Sequence, residues 1–171
     1  MEYSYRFRLY PTEAQEELMA KTFGCCRYVF NRFLDRRKTA YKETGTGLSY
    51  KECSKELTAL KKELPWLKEV DATALQASLK NLDRAYKNFF TGLKAGRRVG
   101  YPQFKAKKRD IPSFKATNNK GTVAIVGHSI RLPKIGYVDA ASVSRSMEKS
   151  FLRLYSKPKA ANTMLLSTAR M

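Results

Sequence analysis

The sequence predicts an α+β protein, a small Greek-key sheet or partial barrel interrupted by an inserted unit of four helices. Three observations predict it. Residues 3–9 alternate like a strand, and a single strand is not stable alone. Helical periodicity with capping signals fills residues 12–93. Short strand patterns return only after residue 111, so the first strand must find its partners on the far side of the helices.

Each element has its own warrant. Tyr3, Tyr5, Phe7 and Leu9 share one face of the first strand, with Ser4, Arg6 and Arg8 on the other. Pro11 ends it. Thr12 with Gln15 forms a capping box for a first helix carrying Ala14, Leu18 and Phe23. Gly24 breaks the pattern, and a second helix runs from about Cys25 to Glu43 with Cys26, Phe30, Phe33 and Tyr41 near one face. Gly45 and Gly47 end that helix. Ser49 with Glu52 caps a third, which turns Leu57, Leu60 and Leu64 inward and stops at Pro65. Trp66 and Leu67 fill the junction. Asp71 caps a fourth, with Leu75, Leu79, Leu82, Tyr86, Phe89, Phe90 and Leu93 at core spacing. Ser113–Thr117, Thr122–Val126, Ser129–Leu132 and Tyr137–Val138 read as strands, with turns at Asn118–Gly121 and Gly127–His128.

Charge divides the chain. The net charge is +19 over 171 residues. Residues 1–83 hold 15 basic and 12 acidic side chains, whereas residues 84–171 hold 19 basic and 3 acidic. Solubility does not require that split, which is the electrostatic footprint expected of a nucleic-acid binder. The densest part is GRRVGYPQFKAKKRDIPSF, residues 96–114. There Arg97, Arg98, Lys105, Lys107, Lys108 and Arg109 surround Tyr101 and Phe104, with Asp110 the one acid. Six cations so close cannot share an apolar core, and phosphate is the natural counter-charge. The interleaved rings suit stacking on bases or packing beneath a strand. The alternative for this segment is a solvated basic loop.

Composition excludes other classes. At 43% hydrophobic and 12% aromatic, the chain can bury a core. No apolar run is long enough to span a membrane, and MEYSYRFRLYP lacks a signal-peptide core. Cys25, Cys26 and Cys53 include no CxxC, which favours a reduced, cytoplasmic setting, with Cys26 packing as a small apolar side chain. His128 is the single histidine. The basic half offers only Asp110, Asp139 and Glu148, too few and too scattered for a two-metal nuclease. No Gly-rich phosphate loop is present. The expectation is a binding protein without catalytic residues, metal or cofactor, with no preference for an oligomeric state.

The blocks YRFRLYPTEAQ, RYVFNRFLDRRKTAYKE, LQASLKNLDRAYKNFF, GYPQFKAKK and IRLPKIGYV, in that order, resemble the N-terminal part of the TnpB (OrfB) proteins. These are transposon-encoded RNA-guided DNA nucleases, and the likeness spans about residues 3–138. The resemblance implies a β-barrel wedge domain, residues 1–11 and 94–145, interrupted by a four-helix recognition domain, residues 12–93. Guide RNA and double-stranded target DNA are the implied partners; base pairing reads sequence while protein reads shape and a short flanking motif. Positions matching those that touch the motif are Tyr50, Ser54, Thr73, Gln76, Thr117 and Asn118. The family's nuclease part uses Mg and often Zn, and no carboxylate here matches its acids. After Val138 to Arg145 the pattern departs from the family. The reading for residues 146–171 is a disordered tail produced by a frameshift or deletion. The competing function is a stand-alone helix-turn-helix regulator, with a turn at Phe23–Gly24–Cys25.

Overall fold

The computed structural model describes residues 4–119, 121–146, 152–156 and 164–169. Strand β1 (Ser4–Tyr10) leads into α1 (Glu13–Thr44), α2 (Tyr50–Glu63) and α3 (Ala72–Lys94). The strands that follow are β2 (Ser113–Ala116), β3 (Ala124–Val126), β4 (Ser129–Leu132), β5 (Gly136–Ser146), β6 (Leu152–Ser156) and β7 (Met164–Ala169). The chain is thus mixed α and β.

Both capping boxes form. Thr12 accepts from the Gln15 N–H and Gln15 answers at the Thr12 N–H; Ser49 and Glu52 repeat the arrangement. The Ser49 N–H and hydroxyl hold the Glu52 carboxyl below its ordinary range. Gln15 does more than cap. Its Nε2 donates to the Tyr137 carbonyl at 2.7 Å, tying the start of α1 to β5.

Among the described residues three α-helices form, not four. Gly24 lies inside α1, which is continuous over 32 residues. One interior glycine costs only about 1 kcal/mol relative to alanine. Met19, Phe23, Cys26, Val29, Phe30, Phe33 and Leu34 continue one buried stripe straight through it. No neighbour lies within 4 Å of where a Gly24 Cβ would be, so the glycine serves no close contact. The helix-to-helix turn therefore falls at residues 45–49, where Gly45 adopts φ 70°. Pro65–Lys68 is a single 3-10 turn that buries Leu67. Tyr41, Phe90 and Leu93, expected in the core, are exposed. All three sit in the last turns of α1 and α3.

The sheet is open. Its order is β2-β6-β7-β1-β5-β4-β3, with every described pairing antiparallel. Closure into a barrel would need β2 to pair with β3, and among the described residues these are the two edges. The β2 edge instead packs on helices, where the Phe114 and Phe23 rings meet at 5.2 Å. β1 lies inside the sheet, between β5 and β7, with a register shift at Arg6/Phe7. Phe7 and Leu9 point inward as the alternation requires; Tyr3 lies outside the described residues. Helices and sheet share one apolar core, reaching from Leu34 and Leu79 to Ile130 and Val138.

The C-terminal expectation also changes. β5 runs through Val138 to Arg145, where the sequence departs from the family pattern, and its later residues pair with β1. Residues 152–156 and 164–169 are strands β6 and β7 rather than a structureless tail. Their ladders link β2 to β1, so they are held by backbone pairing that a search for side-chain alternation underweights. The remainder of that segment, Glu148 included, lies outside the described residues.

Candidate nucleic-acid interface

The cationic segment is held in place by its backbone. At the end of α3, Gly96 takes φ 67°. Its N–H donates to the Leu93 carbonyl at 3.0 Å, and the Arg97 N–H donates to Gly92 at 2.9 Å. This reversed pair of bonds closes the helix and requires a left-handed residue, hence glycine. Val99 then folds back on α3; a Cβ on Gly92 would stand 2.0 Å from Val99 Cγ2. Further along, the Lys105 N–H donates to Asn31 Oδ1 and Asn31 Nδ2 donates to the Lys105 carbonyl, both at 2.8 Å. One amide side chain on α1 thus engages both backbone groups of Lys105.

The rings of the segment face the helices. The Tyr101 and Tyr86 hydroxyls are 2.8 Å apart. Burial and that contact raise the Tyr86 phenol well above its usual range. Lys38 Nζ sits 4.6 Å from the Phe104 ring centre and 5.2 Å from that of Tyr101. Lys105 Nζ lies 4.4 Å above Phe30. Its charge is therefore presented from a fixed aromatic seat. Asp110 is occupied by the turn. Its carboxylate accepts from the Ala106 N–H at 2.6 Å and from Arg109 at 3.2 Å, which together hold it below the usual carboxylate range. Arg109 also donates to the Phe104 carbonyl. Arg97, Arg98, Lys107 and Lys108 are exposed.

A second place gathers five of the other six predicted residues. A groove of about 410 Å³ runs between α3 and β2, with Thr73, Gln76, Lys80, Arg84, Lys115 and Thr117 among its lining. At its upper end Gln76 Oε1 accepts from Tyr50 at 3.0 Å and from Ser54 at 3.3 Å. The Thr117 N–H donates to Thr73 Oγ1 at 3.4 Å, while the Thr73 hydroxyl donates to the helix cap Asp71. Five of the six, Tyr50, Ser54, Thr73, Gln76 and Thr117, thus form two contacting groups at this end. Asn118 stands apart from those contacts and shapes the following turn, its side chain accepting from the Val123 N–H at 3.3 Å.

The groove contains cations that the sequence did not single out. Lys80, Arg84 and Lys115 line it, and none of its lining residues is acidic. Burial lowers the Lys115 ammonium below its ordinary range, and the charges of Arg84 and Lys80 add to the shift. Positive groups that disfavour one another in a concave site are relieved by an anion. A signal for them was present. Thr73, Gln76, Lys80 and Arg84 follow the three- and four-residue spacing of one helix face. Ser113, Lys115 and Thr117 alternate with buried Phe114 and Ala116. The role of Asn31 had no local signal.

Among the described residues, no three histidine, cysteine or carboxylate side chains converge in a way that could hold a metal ion. Asp139 accepts from Ser129 at 2.9 Å across the β4–β5 ladder. No helix among the described residues is long and apolar enough to cross a membrane.

Residues 1–46 match the helix-turn-helix domain of OrfB proteins of the IS605 type. Its described residues, 4–46, are β1, α1 and the start of the turn toward α2. A Streptomyces pristinaespiralis protein named as an RNA-guided DNA endonuclease is 36% identical over 121 residues, 70% of this chain and 29% of its own length. InsQ of Escherichia coli K12, similarly named, is 37% identical over 138 residues, 79% of this chain and 32% of its own length. The virulence protein VsdF of Salmonella dublin is 35% identical over 108 residues, 58% of this chain and 88% of its own length. The chain spans about a third of the two endonuclease-named relatives. The ordered motif blocks, the matched N-terminal domain and these relatives agree: the chain belongs to the TnpB (OrfB) family of insertion-sequence proteins.

Proposed function

We propose that this chain is a nucleic-acid-binding unit of a TnpB-type protein, holding a structured guide RNA along residues 97–109 and duplex DNA at the α3–β2 groove. The observation that carries it is electrostatic. Residues 84–109 contain nine lysines and arginines and no acid. Such a field attracts a polyanion, and a backbone pinned by Asn31 and Gly96 presents it at a set position. In the groove, Lys80, Arg84 and Lys115 supply phosphate contacts. The Gln76 amide is held by Tyr50 and Ser54 through Oε1, which leaves an Nε2 hydrogen as a donor to a base edge. Cationic contacts give affinity, and the few rigid polar groups give the motif preference. Since no acid cluster accompanies the site among the described residues, we assign binding rather than cleavage to it.

The test is the salt dependence of binding to a hairpin RNA and, separately, to duplex DNA. Lys107→Ala with Lys108→Ala should weaken RNA binding and reduce the slope of log affinity against log salt by roughly 1.5. An unchanged slope removes the segment from the interface. The helix-turn-helix match favours one second reading, a regulator that reads duplex DNA alone. Tight, sequence-specific duplex binding with no RNA affinity would select it. Magnesium-dependent cleavage by the purified 171-residue chain would overturn the non-catalytic assignment.

A further inference from the structure

We propose that Phe90 is a stacking platform for an unpaired base of the bound RNA. The inference rests on the RNA-binding reading and adds a site to it. Helical spacing assigns Phe90 to the core, yet it is 53% exposed and Leu93, three residues on, is 51% exposed. A large ring half in water at the end of a helix leaves one face free to stack.

Phe90 is nevertheless firmly held. The Tyr86 ring lies nearly parallel to it, with an interplanar angle of 21° and centres 6.3 Å apart. Phe89 meets Phe90 edge-on at 5.3 Å. Tyr101 meets Phe89 at 5.2 Å and Tyr86 at 5.6 Å. The Tyr86–Tyr101 hydroxyl contact joins the base of this group, and the Arg37 guanidinium lies 5.0 Å from the Tyr86 ring centre. Four rings are therefore ordered as a unit, with Phe90 the exposed member. A flat ring fixed in advance loses little entropy when another flat ring stacks on it.

The charge around Phe90 selects the occupant. Lys94 stands four residues away on the same helix face, Arg97 and Arg98 follow the turn at Gly96, and Lys87, three residues back, is paired with Asp83. A second copy of this chain would bring the same cations against them. A nucleic acid brings phosphates together with rings. Duplex DNA hides its base faces in the stack, whereas the loops and bulges of a folded RNA expose them.

The test uses a hairpin RNA with 2-aminopurine in its unpaired loop, whose fluorescence falls on stacking. Binding by the unaltered chain should quench it. Phe90→Leu should abolish the quench and weaken binding roughly five- to a hundred-fold, the range for losing one stacked base. The salt slope should stay unchanged, because no phosphate contact is lost. Phe90→Trp should restore both quench and affinity. Binding and quenching by Phe90→Leu equal to the unaltered chain would overturn the inference while leaving the RNA reading intact. So would self-association abolished by Phe90→Leu with RNA affinity unchanged, which would give the surface to a second copy. No binding of the hairpin by the unaltered chain would overturn both.

Discussion

The cationic segment and the α3–β2 groove are both basic, but they are built differently. The segment is contiguous in sequence, and its cations are neighbours whatever the fold does. The groove collects Gln76, Lys80 and Arg84 from α3 and Lys115 from β2, and Gln76 is itself held by Tyr50 and Ser54 from α2. Charge density alone creates an attractive field, and a disordered tail could supply it. Placing the Gln76 amide within 3.0–3.3 Å of two hydroxyls beside a concave cationic wall requires a folded core. The difference separates attraction from discrimination.

The largest expected effect breaks the two regions apart. Deleting residues 1–9 removes the strand between β5 and β7, so the β7–β6–β2 side loses its link to the rest of the sheet. We expect the groove wall to loosen while the segment stays on α1. Hydrogen exchange checks this: fast exchange at Lys115 and Ala116, with protection kept at Lys105. Full protection on β2 would show that its packing on α1 and α3 suffices.

A smaller effect should strike both regions together. Arg37 is buried between α1 and α3, 3.1 Å from Asp83, which also pairs with Lys87 at 3.0 Å. Asp83→Ala leaves that guanidinium without its carboxylate and should cost about 3–5 kcal/mol in urea unfolding. The pH dependence has a definite sign. Burial raises the Asp83 carboxyl, but Lys87 and Arg37 outweigh it and the net value lies below 3.8. The pair's contribution is thus full above about 3.8 and is lost as pH falls through the lower folded value. Equal acid sensitivity in the Asp83→Ala variant would remove the pair as its source.

Smaller again, Asn31→Ala should release the segment alone. It removes two hydrogen bonds, a loss of about 1–3 kcal/mol. Lys105 exchange should accelerate while the Thr117 amide is unchanged. Joint acceleration would mean that the regions are coupled through α1.

The smallest prediction concerns the groove alone. Lys115 should titrate below the ordinary 10.5, and Lys80→Gln or Arg84→Gln should raise it by removing a neighbouring positive charge. Bound DNA should raise it as well. Nitrogen-detected titration of the lysine side chain reads both, and no upward movement with either change would refute the convergence of these cations.

Much was legible from local chemistry. Thr12 with Gln15, Ser49 with Glu52, and Asp71 mark the helix starts because each cap is made within a few residues. The strand-first, helices-next, strands-last order follows from periodicity and from the instability of a lone strand. The cationic segment is visible because like charges adjacent in sequence remain adjacent in space.

What only the tertiary structure decided depends on groups distant along the chain. Gly24 reads as a breaker locally, but a continuous buried stripe outweighs its propensity cost. β6 and β7 become strands through ladders to β2 and β1, which local alternation cannot reveal. Asn31 anchors a backbone 74 residues away. Phe90 fits a core spacing and is left exposed because core packing ends before the last turns of α3. Local sequence set the caps, periods and charge. The groove, the open sheet and the exposed ring arose when burying one shared core brought separate segments together.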